Sequence, residues 1–151
     1  MKMKQSETEI IRYIRSGKRV NISEIARELK LPISTVSDRI KKIEQRYILK
    51  RSSILDYRKI GYLANEVLAI KVDSRHKQDF LNFLKKQNCV NSIYFIDSGF
   101  SFLVEIVCKD NFELIGWIEE VKSKFSLEMV SFQVLKVEEK EKFVPNEDGL
   151  R

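Results

Sequence analysis

Glycine, proline, cysteine and histidine are scarce: the 151 residues include five, two, two and one of them. So few glycines and prolines exclude a collagen-like, repetitive or linker-type chain. Long apolar runs are absent as well. None approaches the roughly 18 residues needed to cross a bilayer, and Met1 to Gln5 lead straight into charged residues with no signal-peptide stretch behind them. Cys89 and Cys108 are too far apart for a CxxC pair and too few for a disulfide scaffold, so a reducing cytoplasm is the expected location. A single histidine, His76, cannot build a His-rich metal site or fill two places in a catalytic triad. No catalytic residue, metal ligand or cofactor is expected.

What is present is the composition of one ordinary folded domain or two small ones, with 43% hydrophobic and 33% charged residues. The net charge of +6 is unevenly spread. Residues 1–60 hold 16 basic against 7 acidic side chains, a net +9, and residues 61–151 hold 12 against 15, a net −3. A basic first part joined to a mildly acidic second part suggests a polyanion-binding module attached to something else.

In the first part, Ser6-Glu7-Thr8-Glu9 fits a capping box. Ile10, Ile11 and Ile14 follow at helical spacing, and Gly17 is a suitable stop. Asn21 with Glu24 caps a second helix whose stripe is Ile25, Ala26 and Leu29. After the tight connection Lys30-Leu31-Pro32, a third helix places Val36, Ile40 and Ile43 at i, i+4 and i+7. Its other sides carry Ser34, Thr35, Ser37, Asp38, Arg39, Lys41 and Lys42. Tyr47 to Leu55 reads as two β segments around a basic tip, a wing. Three short helices with a tight turn before a hydroxyl- and base-rich third helix predict a helix-turn-helix. Short hydroxyls let the backbone approach base edges, and long cations neutralise phosphates. Ser34, Thr35, Ser37 and Arg39 are the expected base readers, and Lys41, Lys42, Lys50 and Arg51 the expected phosphate contacts.

Ile22-Ser23-Glu24-Ile25-Ala26 and Ser34 to Glu44, with the connector Leu55 to Tyr62, resemble the winged helix and linker of the Lrp/AsnC (leucine-responsive, or feast/famine) transcription regulators. Two departures stand out. Asp38 occupies a position where the family commonly has a basic residue. Gln45-Arg46-Tyr47 stands where the family usually has Gly, which makes a left-handed helix exit costlier.

From Glu66 the period becomes that of strands. Val67 to Val72 reads as a strand, and Asp73-Ser74 caps a helix with Phe80, Phe83 and Leu84 on one face. Asn91 to Ile96 and Phe100 to Val107 form a hairpin around Asp97-Ser98-Gly99. Asp110 to Glu113 is a capping box before a helix with Leu114, Ile118, Val121 and Phe125, and Met129 to Val137 returns to strand. The fold class is therefore α+β: a winged helix-turn-helix (1–55), a connector (56–65), a ferredoxin-like βαββαβ domain (66–143) and a tail (144–151). Two helices cover one face of such a sheet. Ala69, Tyr94, Ile96, Phe102, Val104, Ile106 and alternate residues of the last strand are expected on the other, which predicts a homodimer.

The resemblance implies that this second domain drives dimers and often octamers, and binds an amino acid near the hairpin between its second and third strands. The family's hairpin carries a Gly three residues before an Asp. Ser98 stands at the Gly position here and Ser101 at the Asp position. A hydroxyl brings no charge to an α-ammonium group, and a lost ion pair of that kind is worth on the order of 1–3 kcal/mol. Ser98, Gly99 and Ser101 are the expected effector loop, for a ligand other than an ordinary amino acid or for none. The expected partner is double-stranded DNA. Two alternatives remain: a tetrapyrrole decarboxylase of the same two-domain plan, for which His76 and Arg75 are the only second-half candidates, and a non-catalytic assembly partner, which Asp38 favours and the +9 opposes.

Overall fold

A computed structural model describes residues 5–16, 20–50 and 52–143. Of these, the residues up to Ser53 and from Glu139 onward form one compact unit, and Ile54–Glu138 form another.

The first unit is built by α1 (Gln5–Arg15), α2 (Ile22–Glu28) and α3 (Ile33–Tyr47). Its centre is Ile10, Ile25, Ala26, Val36, Ile40 and Ile43, all buried, with Leu29, Leu31 and Ile48 packed against them. Each fully buried isoleucine contributes roughly 1.5–3 kcal/mol. The i, i+4, i+7 stripe of α3 therefore fixes which side of that helix faces inward. Asn21 is the N-cap of α2 as expected, its side chain accepting from the amides of Ser23 and Glu24 at 3.1 and 3.4 Å. The expected Ser6 cap differs, because α1 is already helical at Gln5 and Ser6 lies inside its first turn. Gly17 lies outside the described residues.

The turn between α2 and α3 is a Schellman closure on a residue that is not glycine. Lys30 adopts a left-handed conformation, φ +51°. Its amide donates to the Arg27 carbonyl at 3.3 Å, and the Leu31 amide to that of Ala26 at 2.9 Å. Leu31 is thereby turned onto the core, and Pro32 starts α3.

The expected β wing is not formed by the described residues. The chain is helical to Tyr47 and carries no strand at 48–50 or 52–56. Two three-residue segments with no third strand to lean on are too short to hold a hairpin. The exit from α3 needs no left-handed residue either: Ile48 leaves it extended, at φ −101° and ψ 109°. The tail boundary also differs from the one expected at 143/144. Glu139 to Phe143 belong with the first unit, where the Arg15 guanidinium donates to the carbonyls of Glu141 and Phe143 at 2.5 and 2.9 Å and pairs with the Glu141 carboxylate at 3.3 Å.

The second unit has the expected order: β1 (Ala64–Val72), α4 (Lys77–Leu84), β2 (Val90–Phe95), β3 (Phe102–Cys108), α5 (Asn111–Lys124) and β4 (Leu127–Gln133). The sheet runs β2-β3-β1-β4, antiparallel throughout, which is the ferredoxin-like arrangement. Asp73 accepts from the Arg75 amide and opens a short 3-10 turn, Ser74–His76, rather than α4 itself. Asp110 caps α5 through the Glu113 amide at 2.9 Å, while Glu113 reaches back to the Lys109 amide at 2.7 Å.

Between sheet and helices lie Leu68, Ile70, Val72, Phe80, Leu84, Phe102, Val104, Ile106, Leu114, Trp117 and Val121. Phe102, Val104 and Ile106 were expected on the opposite face, and the register places them under the helices. Phe102 pairs with Ile70, Val104 with Leu68 and Ile106 with Glu66. β3 is apolar at nearly every position, so its alternation alone does not tell one face from the other. The uncovered face instead carries Val67, Ala69, Leu103, Val107, Tyr94, Val130 and Phe132, since paired residues share a face. Tyr94, Val130 and Phe132 are 53%, 43% and 54% exposed. Polar groups share this face: a Lys71–Glu128 pair at 3.2 Å, and Glu105 accepting from Asn91 at 2.6 Å and Ser92 at 3.0 Å.

Candidate nucleic-acid interface

α3 is 15 residues long, about 22 Å. With Val36, Ile40 and Ile43 turned inward, its 100° step puts Ser34, Asp38, Lys41 and Gln45 along the outermost line. Lys42 and Arg46 lie beside that line, and all six are exposed. Thr35, Ser37 and Arg39 are half-buried on the flanks. The helix starts at Pro32 with no side-chain cap and no acidic residue in its first turn. Its first amides and positive dipole end are left available to an anion.

Among the described residues Arg39 pairs with neither Glu24 nor Glu28. Glu28 instead takes the hydrogen bond of the Tyr13 hydroxyl. That bond, partial desolvation and the negative charge of Glu28 and Glu24 push the Tyr13 phenol up to about 12. Glu28 is thus held against α1. Lys50 is exposed in the segment after α3, and Arg51 lies outside the described residues. Sequence reasoning missed Gln45, which stands one helical turn beyond Lys41 on the outward line. An i+11 extension of the Ser34 register would have found it.

The expected effector loop is only partly assembled. Ser98 and Gly99 are exposed in the β2–β3 turn, Gly99 at φ +82°. Ser101 is buried, against expectation. Its amide donates to the Ile70 carbonyl at 2.8 Å and its hydroxyl to that of Val72 at 3.4 Å. It ties the hairpin to the end of β1 and is not presented to a ligand. His76 is exposed beside the Asp73–Arg75 pair, and the indole of Trp117 is packed in the core with no partner for Nε1. Among the described residues no group of three or more His, Cys, Asp or Glu is gathered for a metal, and no helix is long and apolar enough to cross a membrane.

Residues 3–46 match the family model described as winged helix-turn-helix DNA-binding. Over 138 residues the chain is 24% identical to an uncharacterised HTH-type transcriptional regulator of Pyrococcus abyssi, covering 91% of this chain and 94% of the relative. The leucine response regulatory protein LrpA of Mycobacterium tuberculosis superposes with a TM-score of 0.84 at 19% identity, over 95% of this chain and 100% of that one. The chain thus shares the fold of the Lrp/AsnC regulators. The two-domain fold of these regulators extends over the described molecule, not the winged helix alone. A Neisseria meningitidis transcriptional regulator in complex with L-Met superposes equally well, with a TM-score of 0.84 at 15% identity over 98% of this chain and 99% of that one.

Proposed function

We propose that this protein is a sequence-specific, dimeric DNA-binding transcription regulator of the Lrp/AsnC type that inserts α3 into the major groove. The observation carrying this reading is the outward line of α3: hydroxyl, carboxylate, ammonium and amide groups held off the core by Val36, Ile40 and Ile43. Ser34, Thr35, Ser37 and Gln45 contact base edges. Arg39 extends from the flank toward the two acceptors of a guanine. Lys41, Lys42, Lys50 and Arg51 hold phosphates. Asp38, in the middle of this surface, repels phosphate and is tolerated opposite a donor such as the cytosine amino group, so it selects sequence rather than adding affinity.

The second copy covers the sheet face of Val67, Leu103, Tyr94, Val130 and Phe132. Tyr94, Val130 and Phe132 of that face are about half exposed. A two-fold pair of sheets also presents two reading heads, as a palindromic operator requires. Any effector of the β2–β3 turn meets Ser98 and Gly99 but not Ser101.

The reading is tested by anisotropy titration of a selected operator and a random duplex with two variants. Arg39→Ala weakens operator binding by about 1–3 kcal/mol and relaxes preference at one base pair. Lys41→Ala weakens both duplexes alike. Loss confined to the operator in Lys41→Ala would remove Lys41 from the phosphate contacts, and unchanged operator binding in both variants would overturn the use of α3.

A further inference from the structure

Two thiols nineteen positions apart in sequence meet at the open end of the β2–β3 hairpin. Cys89 immediately precedes β2 and Cys108 ends β3. Val90 is paired with Ile106, and the Val107 amide donates to the Cys89 carbonyl at 2.8 Å, so the two backbones are bracketed together. Cys108 is fully buried in the sheet–helix core, and Cys89 packs against that same core. Cys89 is only half-buried, so solvent reaches it first.

We propose that Cys89 and Cys108 form an oxidisable dithiol that closes to an intrachain disulfide under a peroxide, with Cys89 as the attacking and Cys108 as the resolving sulfur. The Cys89 thiolate attacks one peroxide oxygen, the O–O bond breaks, and one water leaves with the displaced oxygen, giving a sulfenic acid. Cys108 then attacks the Cys89 sulfur, the S–O bond breaks, a second water leaves and the S–S bond forms. In sum two thiols lose two hydrogens and two electrons, and one hydrogen peroxide becomes two waters.

The asymmetry of the pair assigns the roles. An oxidant reaches the half-buried Cys89 before the fully buried Cys108. Burial raises both thiols, Cys108 to about 12, and the carboxylates of Glu113 and Glu120 near Cys89, and of Glu113 and Asp110 near Cys108, act in the same direction. The reaction is therefore slow at neutral pH and responds to sustained peroxide rather than to a brief pulse.

Closure has a structural consequence. The Asp97–Phe100 turn closes the hairpin at one end, and the disulfide would close it at the other, where β2 is an edge strand with an irregular register between Val90 and Ser92. The edge strand would then fray less.

The test uses the full reduced chain in hydrogen peroxide under native conditions, followed by alkylation in denaturant and peptide mapping. The expected result is one peptide pair joining Cys89 to Cys108, a monomeric band without reductant, and full reversal by dithiothreitol. Exchange of the β2 amides should slow by roughly tenfold or more on oxidation. Cys108→Ser should leave Cys89 as a sulfenic acid trapped by a 1,3-dione, and Cys89→Ser should leave Cys108 unoxidised. Mapping of the wild type is decisive whether or not either variant folds. A Cys89 sulfinic acid beside a free Cys108, a crosslink between chains, or two thiols still open to alkylation would overturn the pairing. A sulfenic acid trapped on Cys108 in Cys89→Ser would overturn the assigned roles.

Discussion

Replacing Lys30 by glycine tests whether the helix-turn-helix is closed by a strained residue. Lys30 holds φ +51° so that the amides of Lys30 and Leu31 can close the end of α2. For an L residue that conformation costs roughly 1–2 kcal/mol. Glycine removes the cost but loses on the order of 0.5–1 kcal/mol through the greater freedom of the unfolded chain. The net expectation is a first unit more stable by about 0.5–1 kcal/mol. For a unit of this size that is about 2–8 °C in its melting midpoint. Lys30→Ala is the control, because it removes the side chain and keeps the left-handed conformation, and it should be near neutral. Urea unfolding followed by far-ultraviolet circular dichroism reads both variants. A Lys30→Gly midpoint at or below that of Lys30→Ala would refute the assignment of strain to this turn.

Three further outcomes follow from single groups. Tyr13 should ionise only near pH 12 in a spectroscopic titration, and that step should vanish in Tyr13→Phe. Because its folded value lies above the unfolded value of about 10, the contact is fully present below pH 10 and is lost as pH rises through 12. Ser101→Asp, which restores the residue type of the family's hairpin, buries a carboxylate facing the Val72 carbonyl; it should destabilise the second unit by about 3 kcal/mol or more rather than create an amino-acid site, as chemical denaturation with and without amino acids would show. If the proposed dimer forms through the uncovered sheet face, Phe132→Glu should sediment as a monomer with an unchanged far-ultraviolet spectrum, and a dimer that persists would place the interface elsewhere.

Much of this fold is legible in the residues because burial leaves a period. Val36, Ile40 and Ile43 can share one side only in a helix, and the alternation of helical and strand segments from Glu66 onward fixes the βαββαβ order. Where apolar residues occupy both parities, as in β3, the period does not tell one face from the other. Among the described residues the wing strands are not formed, for the opposite reason. Ile48-Leu49-Lys50 and Ser53-Ile54-Leu55 have strand-forming residues but too few of them to pair. Ser101 has the composition of an exposed turn, yet the register of β1 against β3 draws it inward. The approach of Cys89 to Cys108 depends on the register of β2 against β3. Of the outward surface of α3, the hydroxyls and lysines were legible from the core stripe, whereas Gln45 required the helix to continue to Tyr47 without the glycine stop usual in relatives.

The most direct measurement is the salt dependence of operator binding by the whole protein. A dimer placing four cations per head, Lys41, Lys42, Lys50 and Arg51, against phosphate should release about eight counterions, a slope of log K against log salt near −7. Truncating Lys42 in both copies should make that slope shallower by about 2. Affinity unchanged between low and physiological salt would contradict the account at its centre.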